Sequence, residues 1–538
     1  MSSRAVKLVK RLGQPGNRFD PDSRLEKMAC LEELAAIRPD AAMLRARYAE
    51  ILLFICAYPP DKGVLTLAEK ELSRITAYLK KDRKLREKMP VNCGLPFTKF
   101  VSSFSHDFLR WLYDDPSMKI EVDRFENTTH TLNEILKLTL SSLEKSETTA
   151  GLDNDALLEV LLVKKKNRIR FLLDELGKLN DMPFIKDHLF DSLGMYTAIR
   201  SDKRDFSFIY NRIPVKAPYF HNDLVKSFDY RKLIDTPLME HTRLSDEQAE
   251  QAIRVVKYSM ALTDRETDPV TYLDNRSFRL YELERGISVA IYGMIPGRQL
   301  PLESYVGYTL FKNGFPAAYG GSWIFGAGAN FGINIFESFR GAESGYMMCQ
   351  LLRVFRQVFK VSYFEVEPYQ FGLDNPDGIS TGAFWFYYRF GFRPFDKKLS
   401  RTAAVEFRKI SRRNGYRTSS RILKMFTGST MVLQLGKRTP VKVADITDKV
   451  IRYIHDRFDG DRISAGRKSI ADFKKMAGIR GKPDHSGTQV LKEVALWAAA
   501  FGIRQQRRLK LLKQMIHAKP DDVYGYQELL LKYFSGKA

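Results

Sequence analysis

Cysteine is scarce in this chain, and nothing in its placement suggests that the four thiols act together. Cys30, Cys56, Cys93 and Cys349 lie far apart with no CxxC pair. That spacing excludes a disulfide framework or a zinc ribbon and fits buried thiols in a reducing cytosol. There is no HExxH motif, no histidine triad and no clustered carboxylates, so no catalytic metal is expected. Long apolar runs are missing as well. The longest, Ile51 to Tyr58 and Val494 to Ile503, are half of a membrane span or less. The opening MSSRAVKLVKRLGQ is basic and lacks the apolar run of a signal peptide, so a cytoplasmic protein without a membrane span is expected. Acidic residues are in deficit: 64 Asp and Glu face 87 Lys and Arg, a net charge of +23. Such a balance favours anionic partners, namely nucleic acid, phosphorylated cofactors or acidic lipid surfaces, without choosing among them.

What is present reads as a folded multidomain protein. A length of 538 residues exceeds one ordinary core, while 44% hydrophobic and 28% charged residues are usual for globular domains. Residues 1–22, with Gly13, Pro15, Gly16 and Pro21, read as a flexible basic lead-in. Apolar residues at helical spacing, beginning with Leu25, Met28, Leu31 and Leu34, predict a helical domain over 23–204. Within it the basic run Lys164 to Arg170 sits between Leu157, Leu161 and Leu172, Leu176, and reads as a solvated helix face. The period is lost in 205–244 amid Pro214, Pro218 and Pro237, which predicts a connector. Ser245 and Gln248 then cap a helix through Met260.

From Arg279 the pattern changes to short β-branched and aromatic runs, 279–283, 287–294, 305–311 and 317–325, expected as successive antiparallel strands. Asn313-Gly314 marks a tight hairpin. Gly320-Gly321 and Gly326-Ala327-Gly328 lack a following Lys-Ser/Thr and bend strands instead of cradling phosphate. Residues 437–538 return to helical period with a basic surface, a C-terminal helical appendage.

The stretch Ala329 to Phe395 is the densest in signals. A short aromatic strand ends at Phe336. It is followed by Arg340-Gly341-Ala342-Glu343-Ser344-Gly345, which opens an apolar helix from Tyr346 to Phe359. A second strand runs to Val366, and a loop leads to the aromatic helix ending Tyr387-Tyr388-Arg389-Phe390-Gly391-Phe392. A glycine-bearing turn before a helix leaves backbone N–H groups free to bind phosphate.

Residues 245–436 in this order resemble the GNAT superfamily of acyl-CoA-dependent N-acyltransferases. Arg340, Gly341 and Gly345 match that family's pyrophosphate-binding turn, with Glu343 where its middle glycine belongs. Ser380-x-x-Ala383-x-x-x-Tyr387-x-x-x-Gly391-Phe392 matches its later segment, with Ser380 replacing the usual Asn. The resemblance implies an α+β fold: a central mixed, mostly antiparallel sheet of GNAT type with helices packed on it, flanked by the N-terminal helical domain and the C-terminal appendage. It implies acetyl-CoA or another acyl-CoA as co-substrate, held by Arg340, Gly341, Gly345, Tyr346 and Ser380. Tyr387 would protonate the departing thiolate, with Tyr388 as the neighbouring alternative. Helical spacing puts Ser380, Ala383 and Tyr387 on one face. Glu337 is the favoured base for the amine, ahead of Glu365 and Glu367, which strand alternation sends to the face of Tyr363. Backbone N–H groups near Phe336 would stabilise the oxyanion. Glu343 beside a pyrophosphate would repel it unless it turns away or pairs with Arg340.

The function expected is direct transfer of an acyl group from acyl-CoA to an amine. The alternative is a non-catalytic GNAT-like protein that binds nucleic acid or another macromolecule; a charged tRNA as acyl carrier is a third reading.

Overall fold

The computed structural model describes the chain except residues 1–2, 15–16, 38–40, 163–166, 266, 482–484 and 536–538. The architecture is α+β. Among the described residues no helix is long and apolar enough to cross a membrane.

The chain opens with four helices, α1 (Ser3–Gly13), α2 (Pro21–Ala35), α3 (Ala42–Ala57) and α4 (Lys62–Lys81). The expected flexible lead-in is thus largely helical. Ala5, Leu8, Val9 and Leu12 form a buried stripe on α1, and Arg4 and Arg11 pair with Glu33 and Glu26 at 2.9 Å each. The short α5 (Arg83–Glu87), β1 (Phe100–Ser102), α6 (His106–Tyr113), β2 (Met118–Phe125), α7 (Leu132–Thr139), α8 (Asn154–Leu161), α9 (Arg168–Gly177), α10 (Pro183–Ser192) and β3 (Met195–Ser201) follow. The expected all-helical domain therefore also holds an antiparallel sheet ordered β1-β3-β2. Of the basic run, residues 164–166 lie outside the described residues. Arg168 is not solvated as expected: it is buried, with Asp155 at 2.6 Å.

Beyond the proline-rich connector, which contains α11 (Tyr230–Asp235), come α12 (Asp246–Leu262) and α13 (Asp268–Thr271). The Ser245/Gln248 capping box forms as expected. The strands β4 (Arg279–Glu282), β5 (Ile287–Tyr292), β6 (Ser304–Lys312), β7 (Phe315–Phe325), β8 (Gly328–Asn330) and β9 (Asn334–Ile335) are followed by α14 (Ser344–Val358) and β10 (Tyr363–Val366). After these come α15 (Pro376–Thr381), α16 (Ala383–Arg389), β11 (Arg393–Pro394), α17 (Lys397–Arg412), α18 (Ser420–Phe426) and β12 (Met431–Gln434). The strands form one sheet ordered β11-β12-β10-β8-β7-β6-β5-β4, with β9 on β7. Asn313 and Gly314 both take positive φ, 45° and 83°, in the β6–β7 turn, the conformation that Asn-Gly favours.

The chain divides into two compact units. One comprises Met1–Leu224, Leu244–Thr271 and Phe311–Pro316; the other comprises Val225–Arg243, Tyr272–Leu310 and Ala317–Ala538. These are not the expected boundaries. The connector splits at Leu224, and α12 sorts with the first unit instead of opening the second. The C-terminal helices α19 (Val443–Phe458), α20 (Arg462–Ala477), α21 (His485–Ala500), α22 (Gln506–Ala518) and α23 (Val523–Ser535) belong to the second unit and are no appendage. Trp497, Met515, Tyr526 and Leu530 share one core with Leu302 and Phe325. The Tyr526 hydroxyl donates to Leu302 O at 2.7 Å, and Gln527 Nε2 donates to Phe359 O at 2.8 Å. In the sheet, β5 is buried along its whole length, and α14 is buried continuously from Tyr346 to Phe355.

Candidate functional site

The second unit's sheet changes character at β8. β8 and β10 run parallel, in register Tyr363↔Gly328, Phe364↔Ala329 and Glu365↔Asn330. One residue on, the Phe331 N–H still donates to Glu365 O at 2.7 Å. Then the chain leaves β10: Gly332 and Ile333 belong to no strand, and Asn334–Ile335 pairs with β7 alone, in the register that β8 already keeps there (Ile324↔Ala329, then Ala318↔Ile335). Past Phe331 the two parallel strands share no further backbone pairing and part. This interruption replaces the single strand expected to run from Ala329 to Phe336.

Tyr387 of α16 reaches this interruption. Its phenol oxygen is hydrogen-bonded by the Ile333 backbone, and burial pushes its pKa up, so the group stays protonated at neutral pH. The ring packs edge-on against Phe392, which stacks on Phe331 of the interrupted segment. Tyr308 of β6 is wholly buried, and its ring stacks on Phe331 at 6.4 Å. Tyr388, the alternative, faces elsewhere. Its ring lies 5.0 Å from Phe407 of α17, and Arg393 sits 3.8 Å above it.

The expected single helix carrying Ser380, Ala383 and Tyr387 is two helices. Gly382 adopts a left-handed conformation (φ 67°) that ends α15 and starts α16. Ser380 is exposed, donating to Asp377 O at 3.0 Å, and so shares no helix face with the buried Tyr387.

In the turn before α14, the Glu343 carboxylate faces neither the turn nor Arg340. It is fully buried, pairs with Arg285 Nε at 2.8 Å and accepts the Val225 N–H at 3.0 Å. The first N–H groups of α14 are thereby left without a carboxylate at their end, and Gly341 stands beside them with φ 79°. Arg340 is exposed; its Nε donates to Ile335 O at 3.2 Å, and Asp377 is 3.5 Å away. Arg340, Gly341 and the Gly345 backbone are thus brought together. Tyr346 is not, because its hydroxyl accepts from Gln350 Nε2 at 2.9 Å inside the body. Gly345 also has a packing reason: a Cβ there would lie 2.1 Å from Phe390 Cζ.

Of the carboxylates, Glu337 sits exposed in a 3₁₀ turn, and the neighbouring Phe336 N–H, the expected oxyanion donor, is spent on Ala317 O at 3.0 Å. Glu365 and Glu367 instead line a cleft of about 240 Å³ with Glu303, Trp323, Asn330 and Tyr363. Alternation along β10 does put Tyr363 and Glu365 on this face. Lys442 Nζ holds Glu365 at 2.5 Å, and Asn330 Nδ2 donates to Glu367 at 3.3 Å where the strands part. Burial raises the Glu303 pKa, and Lys519 partly counters this. The Tyr363 hydroxyl is buried without a hydrogen-bond partner among the described residues. Glu303, Trp323 and Asn330 went unrecognised in the sequence, although alternation could have paired Trp323 and Asn330 with faces once the register was known. No metal-ligating cluster of three or more side chains occurs among the described residues.

Compared with family models, curated proteins and solved structures, the chain matches none.

Proposed function

We propose that the second unit carries a GNAT-like acyltransferase that moves an acyl group from acyl-CoA to an amine. The single observation that carries this reading is the buried, protonated phenol of Tyr387 hydrogen-bonded at the Ile333 backbone, where two parallel strands part. The strand order β8-β10-β12-β11 supports it, as does the glycine turn into α14 directly downstream of the interruption. Glu343 does not oppose it, since its charge is neutralised by Arg285.

In this reading Arg340 and the N–H groups of Gly341 to Gly345 hold the pyrophosphate at a helix N-terminus. The thioester carbonyl lies at the interruption, near Gly332 and Ile333. The amine attacks the carbonyl carbon, the C–S bond breaks, and Tyr387 gives its proton to the thiolate sulfur. A base must take the ammonium proton. Glu367, held by Asn330 where the strands part, is better supported for this than Glu337. Tyr346 and Ser380 have no part in holding the co-substrate.

Calorimetry with acetyl-CoA and longer acyl-CoAs tests the reading. Absence of binding at millimolar concentration refutes it. With binding established, Tyr387→Phe should slow transfer by about 100-fold or more while leaving CoA affinity nearly unchanged. An unaltered rate removes Tyr387 from the mechanism. Comparing Glu367→Gln with Glu337→Gln identifies the base, the larger loss being expected at Glu367.

A further inference from the structure

The connection between β11 and β12 is itself a structural element: α17, a loop and α18, with ten basic side chains against two acidic ones over residues 396–424. Both acids serve the backbone or the interior. Asp396 caps α17, accepting the Leu399 N–H at 2.7 Å. Glu406 is buried, held by Lys409 Nζ at 2.6 Å and the Tyr416 hydroxyl at 2.7 Å.

The cations on α17 are not scattered. At about 100° per residue, Lys397, Lys398, Arg401, Arg408, Lys409 and Arg412 all fall within an arc of roughly 120°. The opposite side carries Leu399, Ala403, Phe407 and Ile410. That side is anchored on α16, where Phe407 meets Trp385 at 5.9 Å and Tyr388 at 5.0 Å. The stripe therefore faces away from α16, and every member except Lys409 is exposed. At about 1.5 Å per residue it is roughly 24 Å long. Arg413, Arg417, Arg421 and Lys424, all exposed, continue it through the loop and α18. None of these four, nor Lys397, Lys398, Arg401 or Arg412, forms an ion pair among the described residues.

A merely solvated helix face interleaves both signs, as α3 does with Arg47 and Glu50 at 2.9 Å. The α17 stripe has no acid on it. Like charges at i,i+4 and i,i+3, such as Lys397 with Arg401 and Lys398 with Arg401, cost folding free energy. A polyanion would relieve that cost. On the apolar side of α17 Ala403 is buried and Leu399, Phe407 and Ile410 are half-buried, and Val405 is the one exposed large apolar side chain on the helix, so it has no broad apolar face to insert into a lipid surface. Six of the ten cations are arginines, whose planar guanidinium forks match phosphate oxygens.

We propose that the α17–α18 insert is a docking surface for the phosphodiester backbone of a nucleic acid. The assignment is independent of the acyltransferase reading. Laid along a duplex, a stripe of about 24 Å has a footprint of about seven base-pair steps, at about 3.4 Å each along the axis.

The test uses the full chain, fluorescence anisotropy, and fluorescein-labelled RNA and DNA oligonucleotides of one sequence, about three times the length of that footprint, single-stranded and as duplexes. Binding is expected to fall steeply between about 50 and 200 mM KCl, and the triple variant R401Q/R408Q/R412Q to bind at least ~30-fold more weakly at the low-salt end with a shallower salt dependence. The companion R401K/R408K/R412K, which keeps the charge, should retain the salt slope. It also keeps the test decisive if the glutamine variant fails to fold. An equal set of changes at three ion-paired cations, R4Q/R47Q/R83Q, should alter affinity less than ~3-fold, since each is already neutralised by a carboxylate, Glu33, Glu50 and Glu87 respectively. Equal binding of RNA and DNA supports backbone recognition, and preference for RNA supports it with the 2′-hydroxyl as a further contact. No binding of either, equal binding by the glutamine variant, or binding of phosphatidylserine vesicles in place of both nucleic acids overturns the proposal.

Discussion

Replacing Glu343 with glycine separates two ways of reading the turn before α14. Glycine there would complete the pattern that the turn resembles, and a reading by motif alone predicts tighter CoA binding at no structural cost. The environment of Glu343 predicts a loss. The side chain is fully buried, pairs with Arg285 at 2.8 Å, and accepts the Val225 N–H at 3.0 Å. Removing one partner of a buried ion pair costs about 3–5 kcal/mol. Arg285 is 14% exposed, so water relieves part of the stranded charge and the low end applies, about 3 kcal/mol. The orphaned Val225 N–H adds about 1 kcal/mol. The helix start itself tolerates glycine, to within a few tenths of a kcal/mol. With an m-value near about 3 kcal/mol/M, the urea midpoint of the second unit should fall by about 1 M. Tryptophan fluorescence reads that unit selectively, because Trp323, Trp385 and Trp497 lie in it and only Trp111 lies in the other. Glu343→Gln, which keeps an acceptor for Val225 but not the charge, should lose about three-quarters as much, about 3 kcal/mol. A glycine variant that unfolds at the wild-type urea concentration would refute the assignment of Glu343 as a buried structural anion.

Gly345→Ala should destabilise the second unit by about 1–3 kcal/mol, because the new methyl meets the Phe390 ring; a thermal melt should show Phe390→Leu recovering part of the loss. Lys519, almost wholly buried, has its pKa lowered by that burial from 10.5 to about 7, with Glu303 opposing the shift. The unfolded chain therefore holds this proton between about pH 7 and 10.5 while the folded chain does not, and stability attributable to Lys519 rises with pH through that window. Between about pH 7.5 and 9 the stability of wild type relative to Lys519→Met should grow by up to about 2 kcal/mol in urea titrations; a constant difference would contradict a neutral folded-state lysine.

Much of the fold was legible where local chemistry decides it. The β4 to β7 runs, the Asn313-Gly314 turn and the Ser245 cap rest on β-branched and aromatic composition between glycines and prolines, positive φ and a capping hydroxyl, all of which travel with the sequence. What failed depended on partners distant in the chain. The α1 stripe is short and dilute in lysine, and it becomes a helix in the company of Glu26 and Glu33. Period-2 burial in Met195–Ser201 was present but drowned in a helical surrounding. Helical spacing from Ser380 to Tyr387 looked continuous because a left-handed Gly382 leaves no trace in apolar periodicity. Pattern singled out Tyr387, whereas nothing in the pattern pointed to its hydrogen-bond partner Ile333. A strand interruption is set by where backbone pairing stops, and between Ala329 and Phe336 only Gly332 hints at it.

That interruption and the basic insert meet at α16, which bears on how activity and charge relate. One side of this two-turn helix carries Tyr387 to Ile333; another, through Trp385 and Tyr388, holds Phe407 and thereby fixes α17. A helix of seven residues between two packed partners has little freedom to move one side without the other. Loading the stripe with nucleic acid should therefore alter the packing that holds Tyr387, whereas neutralising Arg401, Arg408 and Arg412 leaves Phe407 and its contacts in place. Nucleic acid should change the acyl-transfer rate of the wild type without changing that of R401Q/R408Q/R412Q. A rate indifferent to saturating nucleic acid in the wild type would mean that α16 anchors the two surfaces without coupling them.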